Sequence, residues 1–304
     1  MEKHAYLIMA HNNFEQLKLL IDVLDHERTD LFIHIDKKSD FKDYDSLKVH
    51  AKKSDIDIFS EVSVYWADYS QTECEMALLE RAVSKGKHAY YHLISNADFP
   101  IQSQEKILAF FDANAGKEFV AFRFPKNHWP FNKKLYTTEH KYYHFMTKSL
   151  RTGKKYIDIP SYCIEYILVF FQFLFRVDRI KGQYIPCKGS NWWSITENLA
   201  EYIISKKEWI EKNFKHTRSS DEVFTSVLVY NSDFDKKLYD RSHNSSNNEN
   251  QRYIDWTRGF PYTFKIDDYD EIISSGLMFV RKTNMNNDEG LVRKLYDTIL
   301  DRSR

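Results

Sequence analysis

The residues of this chain best suited to chemistry are acidic side chains that follow short apolar runs and one glutamate at a predicted helix start. Asp36 closes one apolar run, and Asp98 lies in a turn-forming stretch after another. Glu222 follows Ser219 by three residues and precedes an apolar segment. This spacing fits a capping box in which Ser219 is the N-cap and Glu222 reaches back. It also fits a general base, a carboxylate that accepts a proton from an attacking hydroxyl.

The elements that must position these residues are strands and helices in alternation. Strands are predicted at 4–10, 31–35, 56–59, 89–94, 119–124 and 191–195, and helices at 14–25, 70–86, 103–115, 197–215, from about 220, and 288–301. Alternation of this kind predicts a Rossmann-type α/β fold with a mainly parallel sheet flanked by helices. Ligands of such sheets bind beyond the carboxyl ends of the strands, where Asp36 and Asp98 fall.

Composition excludes several classes of protein. The 304 residues contain 44 basic and 44 acidic side chains, and this balance argues against a general nucleic-acid binder. The hydrophobic content of 42% excludes a disordered chain. The three cysteines have no paired spacing, which predicts a reducing compartment without a disulfide framework or structural zinc. The chain shows no signal-peptide pattern and no run of 18 apolar residues, so we expect a cytoplasmic protein.

Two further stretches resemble ligand sites. Residues 182–190 resemble a phosphate-binding loop, but Lys188 precedes Gly189 and the order is therefore wrong for a P-loop. The acidic stretch 267–271 suits the first turn of a helix, where the helix dipole favours carboxylates. The same acids, or Asp36 with Asp98, are the alternative candidates for a metal-dependent enzyme.

Segment 148–181 combines 14 mainly apolar residues, 162–175, with seven flanking basic residues. Such a run is too short to span a bilayer. It could lie in the membrane interface, with its basic residues against anionic headgroups. A buried helix and a homodimer contact are the alternatives.

Blocks along nearly the whole chain resemble the core-2/I-branching β-1,6-N-acetylglucosaminyltransferase family, glycosyltransferase family 14, which includes the xylosyltransferases. In chain order, the blocks are Ala5–Asn12, Leu31–Ser39, Tyr65–Trp66, Ser95–Ile101, Gly189–Ser194, Ser220–Phe224, Tyr253–Trp256 and Ser274–Lys282. The resemblance implies a bacterial member with a GT-A-like fold and one domain over 1–304. Its nucleotide-sugar-binding half would be 1–124, and its acceptor and catalytic half 125–304.

The resemblance also implies roles for individual residues. Glu222 falls on the family's general base. Lys282, with Arg281 beside it, would neutralise the leaving diphosphate in place of a metal. A second basic residue for the diphosphate would have to be Arg258 or Lys265. The further expected donor contacts are Ala10, His11, Asp36, Trp66 and Asp98, and the expected acceptor contacts are Ser190, Trp192, Trp193 and Trp256.

We therefore expect an inverting, metal-independent glycosyltransferase without a cofactor, peripheral at the inner face of the cell membrane and possible as a homodimer. Its donor would be UDP-GlcNAc first, then UDP-xylose or UDP-glucose. Its acceptor would be a glycan or lipid-linked glycan in cell-surface polysaccharide synthesis. Two alternatives stay open: a catalytically inactive module that binds glycans or nucleotide sugars, and a metal-dependent transferase using Asp36 and Asp98.

Overall fold

A computed structural model describes residues 2–123 and 139–302 of the chain. Its strands are β1 (His4–Ala10), β2 (Thr29–Ile35), β3 (Asp55–Phe59), β4 (Tyr90–Ser95), β5 (Asp98–Pro100), β6 (Phe122–Arg123), β7 (Lys188–Gly189), β8 (Ser194–Thr196), β9 (Arg252–Ile254) and β10 (Phe279–Arg281). The main sheet has the order β3-β2-β1-β4-β8. Its first four strands are parallel, and β8 runs antiparallel to β4. The predicted α/β fold with a mainly parallel sheet is confirmed.

Helices cover both faces of this sheet. They are α1 (Phe14–Leu24), α2 (Asp45–Lys48), α3 (Tyr69–Lys85), α4 (Gln104–Ala113), α5 (Lys155–Leu174), α6 (Glu197–Ser205), α7 (Lys207–Phe214), α8 (Phe224–Tyr230), α9 (Asn247–Asn250), α10 (Tyr269–Ser274) and α11 (Glu289–Arg302). Helices α3 and α6 contribute to the core on one face, and α1 and α11 to the core on the other.

Strand β1 shows why the apolar runs form the centre of the sheet. Its side chains alternate between the two cores, with Leu7 in one and Tyr6 and Ile8 in the other. A strand covered on both faces needs a continuous apolar run rather than an alternating one. The parallel strands β1 and β2 end at the same edge of the sheet, and the polar residues that follow them lie there, as the sequence predicts.

Two smaller sheets complete the fold. Strands β5, β10 and β9 form one, with β10 antiparallel to β5 and parallel to β9, and β6 and β7 form the other. Arg252 of β9 is fully buried, and its Nη2 donates to the carbonyl oxygens of Leu93 at 3.1 Å and Trp193 at 2.7 Å. A guanidinium with several donors can satisfy carbonyls from separate segments. Arg252 therefore joins the second sheet to the main one.

The predicted capping box at Ser219 and Glu222 is wrong. Ser219 has a left-handed backbone with φ of 52°, and its side chain makes no capping bond. Residues Ser220–Glu222 instead form one 3-10 turn ahead of α8. The hydroxyl of Ser220 bonds with that of Thr72 at 2.7 Å, which holds this turn against α3.

The strand predicted at 119–124 is shorter than expected. Phe119 pairs with Ser194 as an isolated bridge, and only Phe122–Arg123 form a strand. Residue 124 lies outside the described residues. The strand predicted at 191–195 begins at Ser194, because the preceding residues form the turn after β7.

Segment 148–181 departs furthest from its prediction. Its helix, α5, has 20 residues rather than 14, and by length and composition alone it could cross a membrane. The helix extends seven residues before the apolar run 162–175, through residues 155–161, where Lys155, Asp158 and Pro160 interrupt the apolar pattern. Only Ser161 and Glu165 of α5 are buried, so the buried-helix alternative is excluded.

Gly189 in β7 fixes the packing of this strand. A Cβ at this position would lie 2.1 Å from the carbonyl oxygen of Ala121 and 2.3 Å from Oγ of Ser226. The Ala121 oxygen also accepts the Ser190 N–H at 3.2 Å, so it cannot easily move away. Only glycine fits at position 189. Its close packing fixes the backbone of β7, which also carries Lys188.

We expect Gly189→Ala to lower the free energy of unfolding by about 1–3 kcal/mol, the usual cost of overpacking. Urea unfolding followed by circular dichroism measures this loss. Gly290→Ala is the matched control, because a Cβ there meets side chains alone: Asp288 Oδ1 at 3.3 Å and two atoms of Ile266 at 3.9 and 4.0 Å. Equal unfolding midpoints for Gly189→Ala and wild type would contradict the packing argument.

Candidate active site

The carboxyl ends of β1 and β2 form the first wall of the site. The N–H of Asp36 donates to the carbonyl oxygen of Ala10 at 2.8 Å. The Asp36 carboxylate is buried and accepts the N–H groups of Lys38 at 2.9 Å and Val64 at 3.3 Å. These bonds fix the edge where the sequence predicts nucleoside contacts.

His11 follows β1 at this edge and reaches the surface. Desolvation lowers the pKa of His11, and the charges of Lys282, Lys38 and Arg281 lower it further, while Asp36 opposes them. These groups lie close enough to influence one another electrostatically. The structure thus brings together predicted donor residues from three separate parts of the chain.

Hydrogen bonds connect the loop after β1 to the segment after β10. Asn13 Nδ2 donates to Asn284 Oδ1 at 2.7 Å. Gln16 Nε2 donates to Thr283 Oγ1 at 3.0 Å and to the carbonyl oxygen of Asn96 at 2.7 Å. Segments that are far apart in sequence therefore meet at one position in the fold.

Asp98 does not line the cleft directly, because it is fully buried. Its Oδ2 accepts the N–H of Ser95 at 2.6 Å, the Ser95 hydroxyl at 2.7 Å and Nη1 of Arg281 at 2.9 Å. Within the described residues, its Oδ1 has no hydrogen-bond partner. The predicted donor contact is corrected to a residue that positions Arg281.

Two adjacent cations lie at the end of β10: Arg281 is its last residue, and Lys282 follows it. The Arg281 guanidinium lies 4.2 Å from the centroid of the Trp192 ring, so it is held between an aromatic face and Asp98. Of the two cations, only Arg281 forms an ion pair in the part of the chain that is described. Desolvation lowers the pKa of Lys282, and the neighbouring Arg281 charge adds to that effect.

Glu222 lies at the end of the 3-10 turn, paired with a cation from β7. Its Oε2 is 2.7 Å from Nζ of Lys188, which also lies 3.3 Å from Oε2 of Glu139. Burial alone would lower the pKa of Lys188, but the two carboxylates outweigh burial and raise that pKa. The Glu222 side chain is 37% exposed, so an acceptor hydroxyl can reach it.

Two buried carboxyl groups lie behind Glu222. Burial, with the Glu222 charge, raises the pKa of Asp221 to about 7. Burial, with the charges of Asp221 and Glu222, raises the pKa of Glu75 well above its usual range. Asp221 accepts one hydrogen bond from Gln71 at 3.1 Å, whereas neither carboxyl oxygen of Glu75 has a partner among the described residues.

The predicted aromatic contacts divide into two groups. Trp66 and Trp256 are 47% and 52% exposed, although the Arg151 guanidinium covers one face of Trp66 at 3.7 Å from the ring centroid. Trp192 and Trp193 are 6% and 1% exposed, and both belong to the same core. Both are therefore corrected from acceptor contacts to packing residues.

Ser190 lies in the turn after β7, and its Oγ accepts the N–H of Trp192 at 3.1 Å. This bond shapes the turn, and the side chain is only partly exposed. Its role as an acceptor contact stays a prediction.

The acidic stretch 267–271 is occupied by local ion pairs. Arg258 contacts the carboxylates of Asp255, Asp268 and Glu271. Its charge is therefore neutralised, which leaves Lys265 as the candidate for a second diphosphate contact. Within residues 2–123 and 139–302, no group of three or more His, Cys, Asp and Glu side chains is placed to hold a metal ion.

Sequence reasoning missed Lys188, Asp221 and Glu75 as site residues. The sequence places Lys188 only in a stretch that resembles a phosphate-binding loop but has its Lys and Gly in the wrong order. Its position directly before the Gly189–Ser194 block was the available signal. Asp221 adjoins Glu222 in sequence, whereas nothing in the spacing of Glu75 points to this site.

Comparison with known proteins identifies the family of the chain. The model of the family described as Core-2/I-Branching enzyme matches residues 4–273. Xylosyltransferase 2 of Canis lupus familiaris is 20% identical over 299 residues, and that of Rattus norvegicus is 21% identical over 300. Each match covers 91% of this chain and 31% of the relative. The chain thus spans about a third of the length of these curated relatives.

One solved structure is similar in outline. Mouse xyloside xylosyltransferase 1, in its apo form, matches over 94% of this chain and 99% of that chain. The TM-score is 0.37 and the sequence identity 10%.

We expect Asp221→Asn to gain stability relative to wild type as pH rises from about 4 to about 8. The carboxyl has a pKa near 3.8 when unfolded and a raised pKa when folded, so wild type loses stability over this window. The amide does not titrate and avoids that loss. Thermal melting at several pH values measures the difference, with Asp40→Asn as the control for removal of an exposed carboxyl. A difference that does not change with pH would contradict the burial argument.

Proposed function

This chain belongs to the core-2/I-branching enzyme family, and from that premise we propose that it is an inverting, metal-independent glycosyltransferase. The observation that carries the proposal is the pair of cations at the end of β10, one held by a buried carboxylate and the other without an ion pair among the described residues. Glu222, a partly exposed carboxylate, would act in the same reaction as the base for the acceptor hydroxyl.

Arg281 and Lys282 suit the stabilisation of a leaving diphosphate. Negative charge grows on the β-phosphate as the bond to the sugar breaks, and fixed cations stabilise that charge without reorganising. Asp98 holds Arg281 in place before the donor arrives. Partial burial strengthens the attraction of both cations for phosphate, because less solvent screens the charges.

Glu222 suits the role of general base. The acceptor hydroxyl gives its proton to a Glu222 oxygen while its own oxygen forms a bond to the anomeric carbon. The bond from that carbon to the diphosphate breaks, and the diphosphate leaves with the electron pair. Attack opposite the leaving group inverts the anomeric configuration. Lys188, bonded to Glu222, fixes the direction of the carboxylate.

The donor we propose first is UDP-GlcNAc, followed by UDP-xylose or UDP-glucose. The curated relatives are named as xylosyltransferases, which supports UDP-xylose as the next candidate. The acceptor we propose is a glycan or a lipid-linked glycan in cell-surface polysaccharide synthesis. We place the enzyme in the cytoplasm, peripheral to the membrane.

Calorimetry of UDP binding in EDTA tests the donor site. We expect Lys282→Ala to bind UDP about tenfold to a hundredfold more weakly than wild type, because it removes one charge-assisted hydrogen bond. Lys87→Ala removes an exposed lysine elsewhere and is the matched control. Wild-type binding that requires manganese would contradict the proposal and favour a metal-dependent transferase.

Glu222→Gln tests the base and separates an enzyme from a binding module. We expect kcat for sugar transfer to fall about a hundredfold to ten-thousandfold, because the amide cannot accept the proton. UDP affinity should stay unchanged, since Glu222 lies on the acceptor side.

Glu139→Gln is the matched control for that variant, because it removes the other carboxylate bound to Lys188. Its kcat should fall far less. Wild-type turnover by Glu222→Gln would refute its assignment as the base.

A further inference from the structure

A cavity of about 360 Å³ lies beside the proposed donor site, at the N-terminal end of α5. Its wall consists of aromatic, hydroxyl and basic side chains: Lys38, Tyr65, Trp66, Thr147, Lys148, Arg151, Thr152, Lys154 and Ile157. We call this the cationic cavity. Four of its nine residues are basic and none is acidic, so it suits an anion.

The cations of this cavity are largely unneutralised. Lys38 pairs with Asp36 at 3.5 Å, and it alone of the four forms an ion pair among the described residues. The Arg151 guanidinium lies 3.7 Å from the centroid of the Trp66 ring, and Lys148 lies 5.9 Å from that of Tyr65. Aromatic faces hold these cations without cancelling their charge.

Helix α5 continues from the cavity with its polarity reversed. Its polar residues face the protein body: Glu165 lies 2.6 Å from Nδ1 of His144, and Gln172 exchanges two hydrogen bonds of 2.8 Å with the backbone of Tyr143. Its large apolar side chains are exposed instead, and they include Tyr156, Ile159, Ile164, Tyr166, Ile167, Phe170, Phe171, Phe173 and Leu174. An exposed patch of this kind marks an interaction surface.

Basic residues at both ends of α5 indicate that an anionic partner covers that surface. Lys154 and Lys155 are exposed at its start, and Arg176 and Lys181 beyond its end. Arg179 is the exception, since it points inward and donates to the His140 carbonyl oxygen at 2.7 Å. Basic residues around an aromatic face are typical of helices that lie on anionic bilayers.

The inward contacts decide between lying on a bilayer and crossing it. Glu165 and Gln172 attach the middle and the end of α5 to residues 143–146 of the body. A spanning orientation would break these bonds and leave Glu165 in hydrocarbon, which is costly. The geometry therefore favours a helix parallel to the membrane plane.

We propose that α5 and the cationic cavity form one docking surface for an anionic lipid bilayer, with exposed aromatic side chains in the interface and a lipid phosphate in the cavity. This inference rests on the proposed function, since it names the surface at which the acceptor is met. Thr147 Oγ1 donates to Asp68 Oδ2 at 2.7 Å, and Ala67 accepts the N–H of Ser219 at 2.9 Å. The cavity wall is thus joined to the turn that carries Glu222.

Vesicle flotation of the full chain tests this surface. We expect wild type to float with vesicles of phosphatidylcholine and phosphatidylglycerol, and not with phosphatidylcholine alone. Phe170→Ser/Phe173→Ser should abolish flotation without unfolding, since both rings are exposed. Lys148→Gln/Arg151→Gln should weaken binding about 30-fold, from about 1 kcal/mol for each charge.

Lys52→Gln/Lys87→Gln removes two exposed lysines elsewhere and is the matched control, expected to float like wild type. Absence of wild-type flotation, or equal flotation with neutral vesicles, would overturn the docking surface. A wild-type dimer that Phe170→Ser/Phe173→Ser dissociates, measured by light scattering, would assign α5 to a second copy and overturn it too.

Calorimetry with UDP separates this inference from the proposed function. Lys148→Gln/Arg151→Gln should bind UDP like wild type. Loss of UDP binding would assign the cavity to the donor and overturn the lipid assignment, while the glycosyltransferase would stand. Flotation by a wild type that fails to bind UDP would leave the surface intact and refute the donor site.

Discussion

The buried ion pair between Asp98 and Arg281 is the interaction on which the proposed donor side of the site depends. It joins the start of β5 to the end of β10, two paired strands separated in sequence by more than half of the chain. A carboxylate without solvent is tolerated only when its charge is compensated, so Asp98 requires a cation at this point. Arg281 supplies that cation and packs against the Trp192 ring. Lys282 forms no ion pair among the described residues. One pair thereby organises a strand, an aromatic platform and a second charge.

The region around Glu222, the proposed acceptor side, has the opposite electrostatic character. Lys188 contacts Glu222 and Glu139, and two buried carboxyl groups, Asp221 and Glu75, lie behind them. One cation cannot compensate four ionised carboxyls, and burial resolves the excess by raising the pKa values of the two inner groups. The structure therefore has a positive region at Arg281 and Lys282 and an acidic region at Glu222, which the proposed function assigns to the leaving phosphate and the incoming hydroxyl. That separation suits a transfer in which charge moves from acceptor to donor.

Much of this fold can be predicted from the sequence, because buried strands and helices require apolar residues at a regular spacing. The apolar runs of β1, β2 and β4 and the helical spacing of α1 and α3 predict these elements. The position of Lys188 directly before the Gly189–Ser194 block was a signal, but its ion pair with Glu222 is a contact through space that spacing does not encode. Trp192 and Trp193 both enter the core, and the sequence alone does not distinguish two buried tryptophans from two that face a sugar. Helix α5 is longer than the apolar run 162–175 because it begins at Lys155, and Asp158 and Pro160 interrupt the apolar pattern there.

The reversed polarity of α5 has a thermodynamic consequence for the protein as a whole. A ligand that covers this helix and prefers the folded chain to the unfolded one stabilises the fold by mass action. A melting temperature measured in plain buffer then describes the uncovered protein, and it rises with the concentration of such a ligand. The stability of this chain is a property of the chain together with its surroundings, and the choice of detergent or lipid becomes a thermodynamic variable of every preparation.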